Sequence, residues 1–460
     1  MSEDSLHQPG LGPVKVVTVD MDGLAPEISS QHPNGSRYSG ALLIGFRNQR
    51  PIGKVEVPFS SPVLRPEEVA AALAVLPDKP MEDEPIEDEP IEDEPIEDES
   101  SGLPDHPLPR ITVVVPSTLS RVTTLERCVA SLLEQDYPDF DVIIVDNRPD
   151  PSPQRAVLWR RLSQDRRVRV IGESIPGISA ARNRGAAESD SPVLAFTDDD
   201  VMVGPGWLRA IGSRFAREPE TDCVTGLILP AEMESPAQVW FERLAGHMAT
   251  SFAPLHFSGP GPRRLRGFHP ARFTATARRA DGTTTTFWAF RGDKIGAGAN
   301  HAIRAGALRE AGGYDIFLGT GTPAMGGEDQ LLMIQLLLDG RRITFDPAAY
   351  VFHTHRETYD ELREQMYGYN VCYTAMLVAA GRRADYLVGL MWYAVEFPRK
   401  VAHCVKVMIR SSGRDMKRLP AIEVRGLVAG PLAYVRSRRT IGKAVTAAGA
   451  VHMAPMKMDQ

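Results

Sequence analysis

Residues 178–200 read ISAARNRGAAESDSPVLAFTDDD, a small-residue helix pattern followed by a short apolar run that ends in three carboxylates. The run is uninterrupted by charge, as in a strand buried on both faces. Upstream the alternation repeats. ITVVVPS (111–117), DVIIVDN (141–147) and VRVIGE (168–173) are apolar, β-branched strands, and LERCVASLLEQ (125–135) is helical. Downstream, GPGWLRAIGSRFARE (204–218) returns to helix. Such a βαβ series predicts an open, mostly parallel α/β sheet. Ligands in these sheets gather at the carboxyl ends of the strands, so Pro116 to Arg121, Asp146 and Asp198 to Asp200 are expected on one rim.

Three adjacent carboxylates repel unless a cation or basic groups neutralise them, and a hard divalent metal with oxygen ligands is the first explanation to test. An acidic turn capping the next helix is the other. Gly326-Gly327-Glu328-Asp329-Gln330 places an acid pair at a helix start after two glycines. The helix dipole alone favours acids there; alternatively one of them takes a proton from an acceptor hydroxyl. His353 and His355 alternate in VFHTHR and so point the same way on a strand, as a structural pair or as a further metal ligand. Asp146 either accepts hydrogen bonds from a nucleoside or starts an Asx turn with Asn147. Arg182 either pairs with a diphosphate or is an ordinary solvated arginine. GAGAN (296–300) lacks a Walker lysine and 172–177 is not GxGxxG, which excludes P-loop and dinucleotide-binding readings.

Around this region the chain changes character. Residues 14–58 carry several short strand patterns, and PEEVAAALAVL (66–76) is a short helix with proline in its first turn. MEDEPIEDEPIEDEPIEDES (81–100) repeats PIEDE and cannot bury a core, so it is expected to be an extended acidic linker. Removing its twelve acids from the net charge of −7 leaves the remainder of the 460 residues at +5. Residues 251–290 are basic and rich in Gly and Pro, which predicts a long surface loop; Arg263, Arg264 and Arg266 in it read first as ordinary solvated loop residues, with contact to an anionic acceptor as the alternative. From Gly381 to Lys443 fourteen Lys and Arg face four Asp and Glu, interleaved with apolar clusters around Trp392 and Tyr393. That suits helices lying on an anionic membrane surface, or helices packed on the catalytic domain. The four cysteines form no CxxC pair, and no apolar run reaches the length of a spanning helix. A cytoplasmic protein, peripheral on the inner face of the cell membrane, is the expectation; no nucleic-acid reading module accompanies the basic charge.

With these motifs in order, residues 110 to about 380 resemble family 2 glycosyltransferases of the GT-A fold. The match rests on ITVVVPS, VIIVDN, GISAARNRGAAESDSPVLAFTDDD, and GAGANHAIRAGALREAGGYD followed by GGEDQ and FHTHR. The resemblance implies a GT-A, Rossmann-like sheet (109–380) between a small β-rich module (1–78), the linker (79–108) and a basic helical region (381–460). It implies that Pro116, Ser117, Arg121, Asp146, Arg182, Asp198 and Asp199 bind a nucleotide-diphosphate sugar donor, with Asp146 facing the base and Arg182 near the diphosphate. Asp198, Asp200 and His353 would hold Mg²⁺ or Mn²⁺, Asp329 would be the catalytic base, and Asn300, Glu328 and His355 would border the acceptor. The acceptor would be a lipid-linked, peptide or glycan hydroxyl, and the reaction an inverting displacement. Ser117-Thr118-Leu119-Ser120-Arg121 replaces the family's usual Thr-x-Asn-Arg, and no QxxRW follows the ED pair, which points to single-sugar addition. A nucleotidyltransferase of the same fold would need glycine and lysine after the first strand, where neither stands. A non-catalytic scaffold would not need the ED acid.

Overall fold

The computed structural model describes residues 12–77, 107–148, 152–244, 251–261, 273–383, 386–387, 390 and 414–448. The acidic repeat, Arg263, Arg264, Arg266, Trp392 and Tyr393 lie outside the described residues.

The first part of the chain is a small sheet with one helix: β1 (Val14–Asp20), β2 (Ile28–Ser29), β3 (Gly40–Arg47), β4 (Arg50–Pro58), β5 (Val63–Leu64) and α1 (Pro66–Leu73). β3 lies between β1, which it meets in parallel, and β4, which it meets antiparallel through a tight turn at Asn48 and Gln49, both at positive φ.

The second part alternates as the sequence predicts: β6 (Ile111–Ser117), α2 (Val122–Leu133), β7 (Phe140–Asp146), α3 (Pro153–Leu162), β8 (Val168–Gly172), α4 (Ile178–Ala187) and β9 (Val193–Thr197). These four strands are mutually parallel in the order β8-β7-β6-β9. Successive residues enter opposite cores: Val114, Ile143 and Phe196 pack on one side of the sheet, Val113, Ile144 and Ala195 on the other. Both faces are covered, which is why the strands read as unbroken apolar runs.

Beyond β9 follow β10 (Val201–Val203), α5 (Trp207–Arg217), β11 (Thr221–Pro230), α6 (Pro236–Leu244), β12 (Leu255–Ser258), β13 (Thr274–Arg279), β14 (Thr284–Trp288), β15 (Asn300–Arg304), α7 (Ala305–Glu310), α8 (Glu328–Leu338) and β16 (Arg342–His353). β15 runs antiparallel between β9 and β11, β11 is parallel to β16, and β12 to β14 extend the edge antiparallel. β6, β7, β8, β9, β11 and β16 therefore share one direction.

The expectation of a patternless loop over 251–290 is corrected by β12, β13 and β14. Asp281-Gly282, with Gly282 at φ 76°, closes a hairpin between threonine-rich strands whose weak apolar alternation hid them. RITFDPAAYVFH forms one long strand rather than two short ones, bent by register shifts against β11.

Among the described residues, the long helices α9 (Tyr359–Ala380) and α10 (Arg414–Ala447) follow β16. They pack closely because Gly426 and Gly430 of α10 leave room for the backbone of α9; a Cβ at Gly430 would lie 2.0 Å from Thr374 Oγ1. No helix among the described residues is long and apolar enough to cross a membrane.

Candidate active site

The carboxyl ends of β6, β7 and β9 bring Ser117, Asp146 and the Asp198–Asp200 run to one rim, and the end of β16 adds His353. Each acid of the run has its own partners. Asp198 Oδ1 accepts from Arg182 at 3.0 Å and its side chain is 27% exposed. Asp199 turns inward, accepting from Ser117 Oγ at 2.6 Å and from Arg121 at 3.1 Å; burial pushes its carboxyl up to about 6 against the pull of the Ser117 hydroxyl. Asp200 accepts from Arg121 at 2.7 Å and lies 3.5 Å from His353 Nε2 and 4.0 Å from Arg356. Burial works to raise Asp200, but His353, Arg121 and Arg356 outweigh it and hold it below the usual carboxylate range. Burial and neighbouring positive charge hold His353 itself below the ordinary histidine value, in spite of Asp200.

The ED pair divides its roles. Glu328 is 5% exposed and accepts from Arg182 at 2.7 Å. Burial and Asp329 push its carboxyl up against the attraction of Arg182. Asp329, at the start of α8, is part-exposed; its Oδ2 accepts from Gly298 N–H at 2.6 Å and its Oδ1 from Gln330 N–H at 2.8 Å. Two backbone donors, one on each oxygen, fix the carboxylate. Gly298 leaves room for both side chains: a Cβ there would come within 2.7 Å of Arg182 Nη2 and 3.1 Å of Asp329 Oδ2, so these groups would have to shift.

Several expected contacts are corrected by this geometry. Asp146 is fully buried, and Arg155 Nε (2.6 Å), Trp159 Nε1 (2.8 Å), the Arg155 Nη2 group and Arg148 N–H fill its acceptor sites, so the carboxylate itself is not open to a base. Arg182 is 1% exposed and is bonded to Asp198, Glu328 and the Gly298 carbonyl, so it is not the solvated arginine of the alternative reading, and its guanidinium is already engaged within the protein. Asn300 is a core residue that donates to the Leu227 and Ala349 carbonyls and accepts from Trp207. Glu328 is too buried to border an acceptor. His355 lies behind His353, ring centroids 5.5 Å apart, with Nε2 3.3 Å from Glu242. Pro116 is buried in β6 beside Val145. Sequence reasoning missed Arg356, the residue directly after the two histidines, which together with Arg121 is a part-exposed guanidinium on the rim.

Among the described residues no three His, Cys, Asp or Glu side chains converge as a ready metal centre. The composition of the rim nonetheless suits a hard cation. Asp198, Asp199, Asp200, Glu328 and Asp329 outnumber Arg121, Arg182 and Arg356 by two, the charge of one divalent ion, and Asp198, Asp200 and His353 offer oxygen and nitrogen donors on the rim, with Asp198 27% and His353 19% exposed.

Comparison with known proteins shows what this α/β region is similar to. The family model Glycosyl transferase family 2 matches residues 112–304, about two fifths of the chain. An uncharacterized glycosyltransferase, EpsJ, of Bacillus subtilis is 33% identical over 97 residues, 21% of this chain and 27% of that protein. Validoxylamine A glucosyltransferase of Streptomyces hygroscopicus subsp. jinggangensis is 28% identical over 134 residues, 28% of this chain and 31% of that protein. The matched stretch thus spans less than a third of either relative. A mannosyltransferase of Pyrobaculum calidifontis, solved with GDP-Man and Mn²⁺, superposes over 76% of this chain and 77% of its own with a TM-score of 0.38 and 17% identity.

Proposed function

We propose that this chain transfers one sugar from a nucleoside-diphosphate donor to an acceptor hydroxyl, with inversion at the anomeric carbon and Asp329 as the base. The observation that carries the reading is the split of the ED pair: Glu328 is sealed against Arg182, while Asp329 is part-exposed, held by two N–H groups and close enough to Asp198 to act on its charge. A carboxylate so held is positioned to take the acceptor proton as the hydroxyl attacks. Arg121 and Arg356, part-exposed beside Asp200, would bind the diphosphate. Asp198, Asp200 and His353 would hold Mg²⁺ or Mn²⁺, which when bound supplies charge neutralisation for the leaving group. Arg182 keeps Asp198 and Glu328 in place without touching substrate. The pocket wall at Asp146 would be the Arg155 and Trp159 side chains rather than the carboxylate. The acceptor would be a lipid-linked, peptide or glycan hydroxyl of a cell-envelope glycoconjugate, met at the inner face of the membrane; the basic residues of the C-terminal region support this placing.

The test is a thermal-shift screen of UDP-, GDP- and dTDP-sugars with Mn²⁺ or Mg²⁺, followed by turnover measurement with Asp329→Asn. The expected result is a metal-dependent shift for one donor, lost in Asp200→Ala and kept in Asp329→Asn, with turnover in Asp329→Asn down by about 10²-fold or more. Undiminished turnover in Asp329→Asn would remove it as the base.

A further inference from the structure

Helix α10 has two unlike sides. Leu427, Ala433, Tyr434, Ser437 and Ile441 are buried against the body of the protein, where Tyr434 donates to Asp315 at 2.9 Å and Ser437 to the Phe317 carbonyl at 2.6 Å. On the other side Val428, Leu432 and Val435 are 68%, 53% and 41% exposed, at the i, i+4, i+7 spacing that lines one helix face. Arg425, Arg436, Arg439 and Lys443 are exposed along the same side, extending the stripe over about 27 Å at ~1.5 Å per residue. From Val424 to Ala448 the sequence holds no acid.

We propose that this outward stripe of α10 docks on an anionic lipid bilayer, with Val428, Leu432 and Val435 entering the headgroup boundary and the four cations meeting lipid phosphates. Charge selects the occupant. A second copy of the helix would bring the same positive face to meet it, and residues 391–413 of the chain carry four Lys and Arg against one Glu, so neither complements the stripe; the acidic repeat at 81–100 complements the cations but brings only Met81, Ile86, Ile91 and Ile96, five residues apart, to the aliphatic row. An anionic bilayer neutralises the cations and accepts the aliphatic side chains together. The proposal rests on the inner-membrane-face part of the reading above and assigns it a surface; it is independent of the sugar chemistry. It also has a geometric consequence. Asp315 and Phe317, gripped by the inner side of α10, lead directly into the Gly319–Gly327 segment that ends at the ED pair, so the docked helix is in contact with the lip carrying Asp329.

The experiment is flotation of the full chain with vesicles of phosphatidylcholine alone or with one-third phosphatidylglycerol, at low and high salt. The wild type should float only with the anionic vesicles and be released by salt. Val428→Gln/Leu432→Gln/Val435→Gln should weaken binding about tenfold or more, and so should Arg425→Gln/Arg436→Gln/Arg439→Gln/Lys443→Gln, with thermal melts unchanged because all seven side chains are exposed. If the wild type floats and both variants float equally well, the stripe is not the docking surface, although the membrane-face reading survives. Absence of wild-type flotation overturns both while leaving donor binding to be judged by its own thermal shift. A dimer that the apolar variant converts to monomer, without flotation, overturns the lipid assignment in favour of self-association. Stronger binding to single-stranded RNA than to anionic vesicles overturns it in favour of nucleic acid.

Discussion

Glu328 and Asp329 are neighbours in sequence with opposite surroundings, and substitution should separate them. Glu328→Gln keeps shape but removes one of the two carboxylates that compensate the fully buried Arg182. Breaking a buried pair in this way costs about 3–5 kcal/mol, moderated here because Asp198 remains. The thermal midpoint of Glu328→Gln should therefore fall by several degrees, whereas that of Asp329→Asn should stay near the wild type. A second residue-scale expectation concerns pH. His301 is 1% exposed, stacked on Phe196 and hydrogen-bonded to Tyr314, and burial, helped by Arg182, lowers its value to about 3. The unfolded chain takes up this proton near the ordinary histidine value, the folded chain only near 3, so the stability that neutral His301 contributes is full above about pH 6.5 and is lost as pH falls toward 3. Urea midpoints measured between pH 7 and 4.5 should decline in the wild type and decline less in His301→Gln. Equal slopes would show that other groups govern the acid side.

At the scale of elements, the packing of α9 against α10 depends on two glycines. A Cβ at Gly430 would meet Thr374 Oγ1, the Val371 carbonyl and the Ala375 nitrogen, all closer than 3.0 Å, and Gly426 is nearly as tight against Asn370 and the Tyr367 carbonyl. Gly430→Leu cannot be absorbed by a rotamer change because backbone lies opposite, so it should destabilise by at least the ~1–3 kcal/mol of ordinary overpacking and break the Thr374 to Leu427 carbonyl hydrogen bond. Increased amide exchange in 422–445 in that variant would show the helix lifting off. This contact was not legible in the sequence, since glycines four apart in a helix name no partner. The parallel strands were, because burial on both faces writes an unbroken apolar run. The place of the acid triplet, directly after β9 on the rim, was legible for the same reason. The orientation of its members was not: Ser117 comes from β6 and Arg182 from α4, and which acid each would take depends on the sheet order. Asp146 was misread because Arg155 and Trp159, nine and thirteen residues on, return to it from α3.

For the whole molecule, a polar path runs from the N-terminal sheet to the rim. Lys54 of β4 pairs with Glu242 of α6 at 2.5 Å, Glu242 lies 3.3 Å from His355, the His355 and His353 rings are 5.5 Å apart, and His353 lies 3.5 Å from Asp200. The same contact face includes Glu234 with His32 and Tyr38, the bond from Val14 N–H to the Met233 carbonyl at 2.8 Å, and Phe46 against Tyr350. Glu242 is 8% exposed and Lys54 23%, so the pair is worth more than a surface bridge. Lys54→Met leaves Glu242 buried with only His355 to compensate it, a loss on the order of 1–3 kcal/mol from an under-satisfied buried charge. If the small sheet and the catalytic rim stabilise each other through this path, Lys54→Met should raise amide exchange in 231–243 and 351–356 and leave α2, on the far side of the sheet, as protected as in the wild type. Exchange confined to β4 would mean that the N-terminal sheet opens without disturbing His355, and the path would then be a chain of neighbours with no coupling between its ends.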